Sequence, residues 1–177
     1  MAMSAGDIWV APVGEQAGGA KPHPLMVTPF AEYHAQFSPD DKWVSYVSNE
    51  SGRDEVYIMP FHPEAPVSTA HSVTSRVRVS IGGGVLPRWR SDGSELFYLA
   101  PDLRLMSASI QASGSSISVT KLTPLFGLNP KPLGWVYDVM PDGQRFLVNS
   151  LGDEGTRPLV LVTQWNAGSE PGLRSSE

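Results

Sequence analysis

The chain has 177 residues, 41% hydrophobic and 18% charged. That composition excludes a disordered chain and suits one good-sized core or a few repeats. A net charge of −5 and a pI near 5.3 offer no basic face for nucleic acid, and the absence of Cys excludes thiol catalysis, disulfides and thiolate metal sites.

The 16 Pro and 17 Gly fall throughout the sequence and predict short elements joined by turns. "GDIWVAPV" from Gly6 and "HPLMVTPF" from His23 read as two strands, a half unit over 6–30. A first full unit follows over 34–81. An apolar residue, Phe37, ends a strand; "SPDD" turns; "KWVSYVS" is a strand; "NESGRD" turns; "EVYIMPF" and "SRVRVSI" are strands. A second unit over 86–122 repeats the pattern with Trp89, "RSDG", "ELFYLA", "PDL", "RLMSASI" and "SISVTKL". A third, over 136–165, runs Val139, "MPDG", "RFLVNS", "LGDEGTR" and "PLVLVTQW". The polar tail at 166–177 reads as disordered. No amphipathic helix is evident.

Asp40, Asp92 and Asp142 stand 52 and 50 residues apart, a period that belongs to repeat architectures such as propeller blades. Each marks a hairpin corner. Pro39 and Pro141 preset φ early in their turns, and Asp41, Gly93 and Gly143 suit the later position. Four antiparallel strands per unit describe a blade. The expected fold is therefore all-β: a partial β-propeller of about three four-stranded blades, incomplete at both ends, with about thirteen strands in the order two, four, four, three. The alternative is a β-sandwich in which Asp-Gly turns recur by chance.

The stretches "QFSPDDKWVSYVSNESGRDEVYIMPF", "GGGVLPRWRSDGSELFYLAPDLRLMSASI" and "YDVMPDGQRFLVNS" resemble the TolB-type, WD-repeat-like propeller. More narrowly, they resemble the C-terminal blades of propellers attached to bacterial serine/threonine kinases. The resemblance runs from about Gly6 to Trp165, with Asp41 where Gly is usual and "WRSDG" in place of "FSPDG". It implies recognition of a peptide at the channel mouth, or sensing in an extracytoplasmic or periplasmic setting. The start "MAMSAGDIWVAPVGEQ" has no basic and apolar leader pattern, so a chain expressed as it stands is expected in the cytoplasm. No apolar run approaches the ~18–20 residues of a membrane span, and no membrane insertion is expected. Kinase motifs are absent.

No catalytic, metal or cofactor site is expected. There is no nucleophile elbow; "ASGSS" at Ala112–Ser116 reads as a flexible loop. His23, His34, His62 and His71 lack metal-ligand spacing. "SIGGGVLP" precedes a strand and not a helix, so it reads as a connection between blades and not as a phosphate loop. The corner aspartates are expected far apart, each capping its own turn. Trp9, Trp43, Trp89 and Trp165 are expected between blades, with Trp135 entering a strand.

The innermost strands begin just before the corners, and there the units differ. Gln36, Arg88 and Asp138 are equivalent in register, as are His34, Leu86 and Val136, and Ala35, Pro87 and Tyr137. Any partner contact is expected at His34, Gln36, Arg88, Arg90, Tyr137 and Asp138, the two arginines gripping a partner carboxylate or offsetting Asp138. The functional expectation is a non-catalytic module recognising protein, peptide or another ligand, the C-terminal part of a larger sensor or scaffold. Self-association through open blade edges is a second partner expectation. The alternatives are a propeller-type hydrolase or accessory domain of a peptidase or esterase, and a truncation without independent function.

Overall fold

The corners at Asp40, Asp92 and Asp142 each reverse the chain between two antiparallel strands, and the sheets grow outward from there as simple meanders. The structure is a computed structural model, and it describes residues 6–12, 21–62, 76–130, 136–150 and the backbone of 160–163. Thirteen strands and no helix lie among the described residues. Sheet 1 pairs β1 (Ile8–Val10) with β2 (His23–Met26). Sheet 2 runs β3 (Glu32–Phe37), β4 (Trp43–Ser48), β5 (Glu55–Pro60) and β6 (Val77–Arg78). Sheet 3 runs β7 (Val85–Trp89), β8 (Glu95–Leu99), β9 (Arg104–Ser113) and β10 (Ser116–Gly127). Sheet 4 runs β11 (Tyr137–Val139), β12 (Arg145–Val148) and β13 (Val160–Thr163). This is the architecture of a partial propeller: all-β, antiparallel and without a closed barrel.

Alternation along the strands assigns each side chain to one of two neighbouring sheets. In β4, Val44 and Tyr46 pack with Ile8, Leu25 and Met26 of sheet 1, while Trp43 and Val47 pack with Leu96, Tyr98 and Ala108 of sheet 3. In β8, Phe97 turns the other way and joins Tyr137, Phe146 and Val148 of sheet 4. Three interfaces thus form from one register rule. Backbone links reinforce it: Glu32 N donates to Gly6 O and Gly84 N to Asp54 O, both at 2.9 Å. Gly84 is required at its position, because an added Cβ would lie 2.7 Å from Ser80 Cβ and 2.9 Å from the Tyr98 ring.

Several expectations change. "ASGSS" is no flexible loop: Ser113 pairs with Ser116 across a two-residue turn with Gly114 at φ 58°, which lets β9 and β10 extend into a long hairpin. The fourth strand of sheet 2 is only two residues long, and that of sheet 3 is twelve. Trp9 is not in an interface but 57% exposed, because its side of β1 faces away from sheet 2. Trp43 is buried at 4% exposure, and Trp89 is partly buried against the same core. Trp135 and Trp165 lie outside the described residues, as do His71 and the tail at 166–177.

Candidate functional site

The inner strands β3, β7 and β11 lie side by side, with β7 in the middle. β3 and β7 carry the same irregularity. Between Tyr33 and Gln36, and again between Val85 and Arg88, the inner strand spends one residue more than its partner. Each of these β-bulges holds a non-glycine residue in the left-handed region, His34 at φ 54° and Leu86 at φ 56°. Such a conformation costs a non-glycine residue about 1–2 kcal/mol, and packing around the bulge must offset it.

The bulges re-aim the residues that follow. With its amide oriented by its neighbours, Gln36 donates to Pro87 O at 3.1 Å and accepts from Arg88 Nη1 at 2.6 Å. Arg88 also donates to Pro87 O at 2.9 Å and is only 7% exposed. From the other side, the Tyr137 hydroxyl donates to Leu86 O at 2.6 Å. Burial, before any charge effect, pushes the Tyr137 phenol well above its ordinary range. Gln36, Arg88 and Tyr137 therefore form a brace across three inner strands.

His34 and Asp138 are the exposed members of the expected set. The His34 ring meets Tyr33 edge-on at 4.8 Å. Partial burial, and then the charge of Arg88, hold its pKa below the usual histidine value, with Asp54 opposing. At neutral pH its imidazole is neutral and retains an acceptor nitrogen. Asp138 accepts a hydrogen bond from Val139 N at 2.9 Å. Arg90 lies elsewhere, at the second corner, where it pairs with Asp92 Oδ2 and Glu95 Oε2, each at 3.4 Å. A Cβ added to Gly143 would lie 2.9 Å from Arg90 Cδ, which places Arg90 against the third corner.

The corner aspartates bond within their own turns. Asp40 accepts from Ser38 Oγ at 2.6 Å and Lys42 N at 3.3 Å. Asp92 accepts from Ser94 N at 3.0 Å and Ser94 Oγ at 2.6 Å, and Asp142 from Gln144 N at 2.9 Å. These bonds hold all three carboxyls below the ordinary carboxylate range. Asp41, Gly93 and Gly143 supply the left-handed position at φ 57°, 71° and 69°. The first two corners sit closer than expected: Asp40 and Asp92 line one cleft of about 200 Å³, together with Pro39 and Gly93.

Two buried carboxylates carry no signal of their own in the sequence. Glu32 is 2% exposed; its Oε1 accepts from Thr28 Oγ1 at 2.6 Å and Ser48 Oγ at 3.2 Å, and its Oε2 is buried without a hydrogen-bond partner. Burial raises its pKa above the ordinary value. Glu55, also 2% exposed, accepts from Ser80 Oγ and from Gly82 N at 3.1 Å. Apart from Thr28, four residues before Glu32, their partners lie 16 to 27 residues away, beyond the reach of a local motif. Among the described residues no group of three or more His, Asp or Glu is placed to hold a metal ion, and no helix is long and apolar enough to cross a membrane.

No protein-family model matches the sequence, and no curated protein matches it. Among solved structures, TolB from Acinetobacter baumannii is similar at a TM-score of 0.50 and 17% identity, over 85% of this chain and 34% of TolB. An oligogalacturonate lyase from Vibrio parahaemolyticus is similar at a TM-score of 0.47 and 15% identity, over 81% of this chain and 37% of that one. The chain spans about a third of the length of these two structures. At this identity the likeness is one of fold, a TolB-like β-propeller arrangement of which this chain covers a part.

Proposed function

We propose that the chain is a non-catalytic recognition module, part of a larger sensor or scaffold, that takes a protein or peptide segment at the mouth of the channel lined by β3, β7 and β11. The observation that supports this reading is the division of labour among the inner strands. Gln36, Arg88 and Tyr137 are spent on bracing the strands to one another, while His34 and Asp138 stay exposed on the outer two. A neutral imidazole and a carboxylate, held by rigid strands, suit a segment rich in donors: free backbone N–H groups, an amine or a lysine.

A peptide array spanning basic and neutral segments, followed by titration of the best binder, tests the reading. Asp138→Asn and His34→Ala are each expected to weaken that binder about tenfold, roughly 1.4 kcal/mol. Equal binding by wild type and both variants overturns the proposal. Hydrolysis of a peptide or ester substrate that is lost in His34→Ala would replace it with the hydrolase reading.

A further inference from the structure

The junction of sheets 2 and 3, both of them four-stranded, carries a cleft at its corner end. Asp40 and Asp92 line it, and so do two indoles, Trp43 and Trp89. Trp43 lies three residues after its corner aspartate and Trp89 three before its own; at the junction of sheets 3 and 4 those places belong to Glu95 and Val139. The paired indoles are therefore particular to this cleft. One wall comes from the long hairpin. Beyond Ser109, which pairs with Glu95, β9 and β10 run on past the first residue of β8, and Ile110, Ala112 and Ile117 line the cleft. The two carboxylates divide their oxygens alike. Oδ1 accepts the hydrogen bonds of the turn, whereas Oδ2 meets the side-chain cation of Lys42 at 3.6 Å or of Arg90 at 3.4 Å. Exposed pairs of that kind contribute about 0–1 kcal/mol, so another cation can join or displace them. Hydrogen bonds from Ser38 and Ser94 hold both carboxyls below the ordinary range, and both are charged at neutral pH. Trp89 adds a donor that the fold leaves unspent: its Nε1 is buried without a hydrogen-bond partner.

We infer that this cleft takes an arginine side chain from a partner protein segment, with its guanidinium held by Asp40 and Asp92. The volume of about 200 Å³ falls below the ~300–1,000 Å³ of pockets for drug-sized ligands and suits a single side chain. Trp43 and Ile117 are buried, while the side chains of Asp40 and Asp92 are 48% and 52% exposed. An apolar depth under a charged rim matches a side chain with an aliphatic stem and a cationic head. Of the two such side chains, arginine is the less strongly hydrated, stacks on indole rings and offers five donors, enough for both carboxylates. The backbone carbonyls of the same segment are acceptors of the kind Trp89 Nε1 lacks. The cleft lies at the corners and not at the bulges, so the inference does not rest on the reading of the channel mouth.

Titration of the full chain with the peptide acetyl-Gly-Arg-Gly-amide, followed by the NMR signals of the Trp43 and Trp89 indole N–H groups, tests this. Both signals are expected to move and saturate. The same peptide with citrulline, which keeps the shape and loses the charge, is expected to bind at least about tenfold more weakly, the scale of two charge pairs. Asp40→Asn and Asp92→Asn each keep an Oδ1 acceptor for the turn and remove the charge. Each is expected to weaken binding about threefold, the scale of one half-exposed ion pair, and the double variant about tenfold. Ala112→Phe fills the cleft from an exposed position, leaves both carboxylates in place, and is expected to abolish binding. Absence of saturable binding, equal binding of the citrulline peptide, or full binding by Ala112→Phe overturns the inference. A loss seen in Asp138→Asn and in neither corner variant also overturns it, and moves the arginine to the channel mouth. Should an asparagine variant fail to fold, Ala112→Phe and the citrulline peptide decide the matter.

Discussion

The interface between sheets 2 and 3 and the one between sheets 3 and 4 follow the same register but are filled differently. In the first, Trp43, Val47, Val56 and Ile58 meet Leu96, Tyr98 and Ala108 in a continuous apolar layer. In the second, Phe97 and Leu105 meet Tyr137, Phe146 and Val148, but the places of Trp43 and Ile58 are taken by Glu95 and Ser107, which hydrogen-bond at 2.8 Å. The cross-strand pair Ser45–Ile58 becomes Phe97–Ser107, so the large side chain has changed strands. Outward from Phe97 the second interface opens into a cleft of about 230 Å³ lined by Glu95, Ser109, Thr123 and Gln144. The repeat dictates which way a residue faces. It leaves the chemistry of each interface free to vary.

The largest expected effects bear on that difference. Leu96→Ala and Phe146→Ala truncate the same register position in the two interfaces, both at 1% exposure or less. Leu96→Ala is expected to cost about 3–5 kcal/mol, the upper part of the range for a dry core. Phe146→Ala removes more atoms but borders the cleft, where water can enter; its expected cost is about 3 kcal/mol, no more than that of Leu96→Ala. Chemical denaturation checks the order, and a markedly costlier Phe146→Ala would erase the distinction.

Gly143→Ala bears on the corner beneath the second interface. At φ 69° the new methyl strains the backbone and displaces Arg90, for an expected loss of about 1–2 kcal/mol in the same assay. Glu32→Gln bears on the seam between sheets 1 and 2. The raised folded-state pKa of Glu32 means that the folded chain holds this proton more tightly than the unfolded one. Its contribution to stability is therefore fully present below the ordinary carboxylate pKa and is lost as pH rises through the raised value. Glu32→Gln removes the buried charge, so it is expected to gain about 1 kcal/mol at neutral pH, and to flatten melting temperature against pH across that window.

The smallest expected effect is that of Asp40→Ala, about 0.5 kcal/mol for exposed turn bonds. The sign of its pH dependence is opposite. The Ser38 hydroxyl, ahead of Lys42, lowers the Asp40 pKa, so this stabilisation is present above the ordinary carboxylate value and is lost as pH falls through the lowered one. Thermal melts of wild type and variant should converge at low pH.

The corners and most strands were legible because Pro, Asp and Gly at fixed offsets mark turns, and period-two runs of Val, Tyr, Phe and Trp mark strands. The functions of the inner-strand residues were not. The bulges at His34 and Leu86 use non-glycine residues in a left-handed conformation, so nothing local announces them, and they direct Gln36 and Arg88 into the structure. Trp9 was misplaced because exposure depends on which sheet stands opposite, a non-local fact. Glu32 and Glu55 look like ordinary strand-end carboxylates until their serine partners arrive, Ser48 from β4 and Ser80 from the segment after β6.

The account rests on sheets stacking face to face under one register rule, and a double-mutant cycle between Phe97 and Phe146 tests it most directly. These rings meet edge-to-face at 4.9 Å across sheets 3 and 4. Leu substitutions at both positions are expected to show a coupling of about 0.5–1.5 kcal/mol, while Phe97 and Tyr46, which belong to different interfaces, are expected to be additive within about 0.5 kcal/mol. Additivity between Phe97 and Phe146 would contradict the stacking and the assignment of faces built on it.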